Sequence, residues 1–171
     1  MSNQRAIALV GLMGAGKTTV ARLLARHLGG EAVDLDHVLE AEAGCSVTEM
    51  FRRDGEASFR RREAERLAEL VGNGVAVIAC GGGAVVDAVS RDRLKRSCRV
   101  VWLEVSPQEA MRRMGSTRET RPLLTQDSGA LEALLRGREA AYREVAEIRV
   151  STDGRTPEQV TQAVVAALEA P

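Results

Sequence analysis

Gly11-Leu12-Met13-Gly14-Ala15-Gly16-Lys17-Thr18 places three glycines, a lysine and a hydroxyl within one octet, and a second threonine, Thr19, follows directly. The octet fits the pattern G-x-x-x-x-G-K-[ST], a loop whose main-chain N–H groups cradle phosphate oxygens. Glycine lets the backbone wrap the anion, and a side chain at Gly16 would obstruct the approach of a phosphate. Lys17 would neutralise the β and γ phosphates of a nucleotide, and the Thr18 hydroxyl would ligate a magnesium ion bridging them. Thr19 would steady the start of the following helix or touch a phosphate. A glycine turn with a chance lysine is the plain alternative. The flanks argue against it, because an apolar run precedes the loop and a helix-period segment follows it.

Asp34-Leu35-Asp36 ends a second apolar run. Alternation along an extended chain puts the two carboxylates on different sides. One would hold the metal and its water shell, while the other faces an acceptor and accepts a hydrogen bond, and then a proton, from its hydroxyl. A carboxylate beside the acceptor favours an alcohol over a phosphate as nucleophile. An isolated D-x-D can also cap a helix, here one beginning near His37. Gly81-Gly82-Gly83 follows a third apolar run, where no side chain would block a ligand from the backbone; a tight turn is the plainer reading.

Arginine suits planar recognition of carboxylate and phosphate, and Arg60, Arg121 and Arg138 are the candidates. Taken singly, each is better read as a solvated surface residue. Cys80 and Cys98 lie in or beside apolar runs and read as buried, inert thiols, while His27 and His37 lack acid or metal-ligand partners at suitable spacing.

These residues need elements to hold them. Strand-length apolar runs occur at 6–10, 31–34, 75–80, 99–104 and 147–150, with helix-period segments between them, an alternation that implies a parallel sheet. Ser106-Pro107-Gln108-Glu109 and Thr156-Pro157-Glu158-Gln159 each combine a capping hydroxyl, proline at the first helical position and Glu or Gln at the third. Gly115 to Gly129 is polar, carries Gly and Pro, and is long for a connection within one domain, which predicts a lid or a disordered loop.

At 171 residues the chain suits one well-buried domain, and no linker divides it. Lys plus Arg and Asp plus Glu balance at 24 each, so no basic field is available to hold nucleic acid. Three cysteines, with no C-x-x-C spacing, fit neither a disulfide framework nor a structural zinc site, and a reducing cytoplasm is expected. No run approaches transmembrane length and the N-terminus lacks a signal-peptide apolar region, so no membrane association is expected.

Together these pieces resemble the shikimate kinase family. Beyond GLMGAGKTT, the matching stretches are DLD at 34–36, SVTEMFRRDGEASFRRRE at 46–63, VIACGGGAV at 77–85, RPLL at 121–124 and REAAY at 138–142, spread from about Ile7 to Thr156. The resemblance implies an α/β, three-layer P-loop kinase fold of nucleoside-monophosphate-kinase-like type. Its five-stranded parallel sheet, in order 2-3-1-4-5, would be flanked by helices, with a mobile lid at about 115–129. It implies a single kinase domain over 1–171, with the phosphate loop at 11–18 and the acceptor-binding region at about 34–62. The implied reaction is ATP- and Mg2+-dependent phosphorylation of the shikimate 3-hydroxyl, a step towards chorismate and aromatic amino acids.

Carried over by matching position, Asp36, Arg60, Gly81, Gly82, Gly83 and Arg138 would bind shikimate, the arginines gripping its carboxylate and Asp36 its ring hydroxyls. Gly14, Ala15, Gly16, Lys17, Thr18 and Thr19 would hold the nucleotide phosphates, with Thr18 and Asp34 at the metal. Arg121 would close from the lid onto the transferring phosphoryl group, Arg113 and Arg155 would frame adenine, and Lys17, Asp36 and Arg121 would be the catalytic set. A cytoplasmic monomer acting on small molecules is expected. Cys80 stands where the family commonly has a small or hydroxylated residue.

Three rivals remain at this level. A related P-loop kinase would take gluconate or an amino analogue of shikimate. A nucleoside monophosphate kinase would place arginines around a phosphate that Asp36 repels. A non-catalytic ATP-binding regulator would keep the fold without turnover, against which stand the intact Lys17, Asp34, Asp36 and Arg121. No N-K-x-D motif is present to read guanine, which disfavours a GTPase.

Overall fold

Short apolar runs rich in valine, isoleucine and alanine become the strands, the central ones buried on both faces. In the computed structural model, which describes residues 5–115 and 128–170, these are β1 (Ala6–Val10), β2 (Ala32–Asp34), β3 (Val77–Ala79), β4 (Cys98–Glu104) and β5 (Ile148–Ser151). They form one sheet in the order β2-β3-β1-β4-β5, parallel at every pairing, as the sequence predicts. Representative register pairs are Leu9 with Ala79, Ala8 with Val100, Val33 with Ile78 and Leu103 with Val150.

The helices are α1 (Lys17–Leu28), α2 (Leu35–Ala43), α3 (Val47–Asp54), α4 (Glu56–Gly72), α5 (Ala88–Ser97), α6 (Pro107–Met114), α7 (Ser128–Val145) and α8 (Pro157–Glu169). Both predicted caps form. Ser106 accepts from the Glu109 N–H at 3.2 Å, and Thr156 exchanges hydrogen bonds with Gln159 at 3.3 and 2.9 Å in a capping box.

Side-chain alternation splits the sheet residues between two cores, giving three layers. Ala6, Ala8 and Val10 pack with Leu35, Phe59, Leu67, Trp102 and Tyr142 on one face. Ile7 and Leu9 pack with Leu24, Leu103, Val160 and Val164 on the other. All five residues of β1 are buried, which fits a central strand covered on both sides.

Strand ends shift by a residue or two, and two boundaries bear on the site. β2 ends at Asp34 as expected, and α2 begins directly at Leu35, because the Asp34 carboxylate caps the helix by accepting from the His37 N–H at 3.2 Å. Asp36 therefore stands in the first turn of a helix, and strand alternation is not what separates it from Asp34. Ser128 and Gly129, assigned above to the lid, belong to α7; residues 116–127 of that lid, Arg121 included, lie outside the described residues. Among the described residues, no helix is long and apolar enough to cross a membrane.

Candidate active site

The phosphate loop leaves the central strand β1 and runs into α1. Gly16 is the N-cap of α1 at φ 87°, a left-handed conformation that suits glycine, and among the described residues no atom beyond its chain neighbours lies within 4 Å of where its Cβ would stand. Glycine there answers a backbone requirement, and the protein leaves the space open on that side. Gly14 packs on α6, its Cβ position 3.0 Å from the Ala110 carbonyl oxygen, while Ala15 is buried beneath the loop and Thr19 is exposed on the first helical turn. The Lys17 ammonium donates to the carbonyls of Gly11 at 2.8 Å and Leu12 at 3.0 Å, which holds it against the loop.

The Thr18 hydroxyl donates to Asp34 Oδ2, and Asp34 Oδ1 receives the α2 cap. Asp34 thus caps the helix with one oxygen, the plainer reading of the D-x-D motif, and meets the Thr18 hydroxyl with the other. A hydroxyl beside a carboxylate is a hard-oxygen set suited to Mg2+, which keeps several waters and takes further oxygens from nucleotide phosphates. No group of three or more His, Cys, Asp or Glu side chains among the described residues could hold a metal by itself.

One strand over, Gly81-Gly82-Gly83 follows β3, and each glycine seats a different functional side chain. A Cβ on Gly81 would meet Asp36 Oδ1 at 2.5 Å, one on Gly82 would lie 3.5 Å from Arg138 Nη1, and one on Gly83 would collide with the Arg60 guanidinium. The same Gly82 position lies 3.5 Å from the Gly11 carbonyl and 3.7 Å from the Met13 nitrogen, so the glycine turn abuts the phosphate loop. Glycine is required here by close approach. Arg91 fastens the far side of the turn, Nη1 donating to the Val85 and Val86 carbonyls at 2.9 Å each.

Arg60, at 11% exposure, is far from the solvated arginine that its sequence neighbours suggest. It donates to Glu63 Oε2 at 2.7 Å and to Glu56 Oε1 at 3.4 Å, and its Cζ lies 5.4 and 5.2 Å from the ring centroids of Phe51 and Phe59. Those rings fix the guanidinium plane by cation–π contact. Glu63 is 1% exposed, and burial pushes its carboxyl up to about 7 against the opposing pull of Arg60.

On the nucleotide side, Arg113 joins three segments: it donates to Glu109 Oε1 at 2.8 Å within α6, to the Gly14 carbonyl at 3.3 Å, and to the Thr152 hydroxyl and carbonyl at 3.0 and 2.6 Å. Hydrogen bonds from Arg112 and Arg113 outweigh desolvation and draw the Glu109 carboxyl down to about 2. The Arg155 N–H donates to the same Thr152 carbonyl at 3.2 Å, so both arginines expected at adenine meet at the β5–α8 turn, with Arg155 exposed.

Cys80 and Cys98 are buried free thiols, raised by desolvation, Cys98 to about 11, as inert thiols should be. Glu63, Tyr142 and Thr152 are not singled out by the sequence pattern. Glu63, three residues after Arg60 on one helix face, carried the clearest available signal.

This sheet order, with a phosphate loop leaving the central strand, defines a P-loop kinase of the nucleoside-monophosphate-kinase-like class. The shikimate kinase family model matches residues 13–169. The chain is 42% identical over 166 residues to a shikimate kinase of Symbiobacterium thermophilum, with 95% of each chain covered. It is 44% identical over 165 residues to one of Moorella thermoacetica, covering 96% and 94% of the two chains. A solved shikimate kinase from Acinetobacter baumannii, in complex with shikimate, superposes with a TM-score of 0.90 at 36% identity, covering 96% of this chain and 93% of that one. The chain belongs to the shikimate kinase family.

Proposed function

We propose that this chain transfers the γ-phosphoryl group of ATP to the 3-hydroxyl of shikimate. The observation that carries the reading is the convergence of Asp36, Arg60 and Arg138 on Gly81–Gly83, directly beside the phosphate loop. Two guanidiniums and one carboxylate suit an acceptor with an acid at one end and hydroxyls at the other. In this reading Arg60 and Arg138 grip the carboxylate, and Asp36 orients the acceptor hydroxyl and accepts its proton.

The N–H groups of residues 14–19 and the Lys17 ammonium hold the phosphates and offset charge as the phosphoryl group transfers. Lys17 must turn from the Gly11 and Leu12 carbonyls towards the nucleotide to do so. Thr18 and Asp34 would hold Mg2+, which would supply charge neutralisation to the nucleotide phosphates. Arg121 is assigned to the transferring group, and Arg113 with Arg155 to the adenine side. We read the chain as a cytoplasmic monomer, the cytoplasmic part supported by three free cysteines.

The test is Mg2+-dependent ADP release from ATP with shikimate, gluconate, an amino-shikimate and AMP as separate acceptors. Strong preference for shikimate is expected; equal or better release with another acceptor overturns the assignment. In the same assay Asp36→Asn should lower turnover at least about a hundredfold while ATP affinity is retained. Unchanged turnover removes Asp36 from its role.

A further inference from the structure

Tyr142 is the single tyrosine of the sequence and is fully buried beside the acceptor pocket. Its ring stacks on Trp102 of β4, with centroids 5.5 Å apart and planes inclined by 25°. Its hydroxyl donates to the Gly82 carbonyl at 2.6 Å, and Arg138, one turn earlier on α7, hydrogen-bonds the same hydroxyl. The ring is thus fastened to the sheet, and the polar tip joins two parts of the pocket.

The chemistry of the two partners dictates what can join them. A main-chain carbonyl only accepts and a guanidinium only donates. A group that bridges them must donate in one direction and accept in the other, which a neutral hydroxyl does and a phenyl ring does not. Packing on Trp102 alone would be satisfied by phenylalanine; a buried hydroxyl is costly unless partnered, and both partners here line the acceptor site. Burial keeps the hydroxyl protonated, its pKa raised to about 12, so the bridge persists across the working range of pH.

We propose that Tyr142 is a positioning residue for the acceptor, its hydroxyl setting the Arg138 guanidinium and the Gly82 main chain at the spacing that a carboxylated acceptor requires. Arginine has many rotamers, and tying one N–H to a fixed oxygen removes that freedom before the ligand arrives. The remaining N–H groups are left to face the carboxylate. This inference rests on the reading of the pocket as the shikimate site.

The experiment is steady-state kinetics of Tyr142→Phe, with shikimate and ATP varied in turn. KM for shikimate should rise about tenfold while KM for ATP stays unchanged, the loss expected for one hydrogen bond to a charged group. Trp102→Phe, which alters the stack and spares the hydroxyl, should leave KM for shikimate within about twofold of wild type. Equal KM shifts in the two variants, or none in Tyr142→Phe, overturn the proposal. If Tyr142→Phe fails to fold, protein grown with meta-fluorotyrosine carries its only label at this site. The fluorine resonance should then move with shikimate and not with ATP alone; no movement with shikimate overturns the proposal. A wild-type chain inactive towards shikimate would overturn the functional reading itself, a result distinct from a normal KM in Tyr142→Phe.

Discussion

Asp36 reaches the main chain of the glycine turn, its Oδ1 only 2.5 Å from the point where a Cβ on Gly81 would stand. The crowded atoms are the tip of a flexible side chain, so Gly81→Ala should fold with a Tm lowered by only a few degrees. The carboxylate, however, must move by about an ångström, which is enough to cost roughly a hundredfold in turnover when a reacting hydroxyl is misplaced. Thermal melts and kcat measured on the same sample check this; a large loss of stability with little loss of rate would contradict it.

Glu63 makes stability depend on pH near neutrality. Its carboxyl is raised from the ordinary 4.5 to about 7, chiefly by desolvation, so the native state holds the proton more tightly than the unfolded chain. The stabilising contribution of that proton is complete below pH 4.5 and is lost as pH climbs through about 7. Between pH 5 and 8 the wild type should therefore lose about 2 kcal/mol more stability than Glu63→Gln. Urea titrations at several pH values measure the difference, and parallel curves would rule out the shift.

Thr152 couples the β5–α8 turn to the phosphate loop through Arg113, on the side proposed for adenine. Thr152→Val removes the hydroxyl that accepts from Arg113 at 3.0 Å and keeps the main-chain N–H that donates to Glu104 at 2.8 Å. With about 1 kcal/mol of hydrogen bonding lost, KM for ATP should rise roughly fivefold and KM for shikimate should not change. A change confined to shikimate would place Arg113 elsewhere in the mechanism.

Tyr142, as the single tyrosine, can be titrated without interference by the absorbance of tyrosinate. Native protein should ionise near pH 12, against about 10 in the unfolded chain, desolvation being the main cause. Stability from this group is full below pH 10 and lost as pH rises through 12. Ionisation of the folded chain at pH 10 would show the hydroxyl to be open to water.

Much of this was legible in the residues. The phosphate loop announces itself because its chemistry is local: glycines, lysine and threonine act within eight positions, and the flanking strand and helix obey simple periodicities. The sheet order followed from the family resemblance, and the two helix caps from three-residue spacings. What was not legible depends on distance along the chain. Arg60 looks solvated among Arg61 and Arg62, and only the rings of Phe51 and Phe59 and the buried Glu63 show otherwise. Tyr142 meets Gly82 across sixty positions, and Thr152 meets Arg113 across thirty-nine. Asp36 lies beside Gly81, but from the first turn of a helix, since a cap at Asp34 ended the strand before alternation could act.

The adjacency of β1 and β3 gives the enzyme a fixed ruler. Neighbouring strands are separated by about 4.8 Å whatever their side chains, and the loops leaving these two strands are the phosphate loop and the Gly81–Gly83 turn. The gap across which a phosphoryl group would travel is therefore written into backbone hydrogen bonding, while Asp36, Arg60 and Glu63 all sit on α2–α4, to one side of that gap. Residues 35–72 amount to an exchangeable part of the acceptor side: with Arg138 and Gly81–Gly83 retained, a different set of side chains there would present a different carboxylated alcohol to the same ruler.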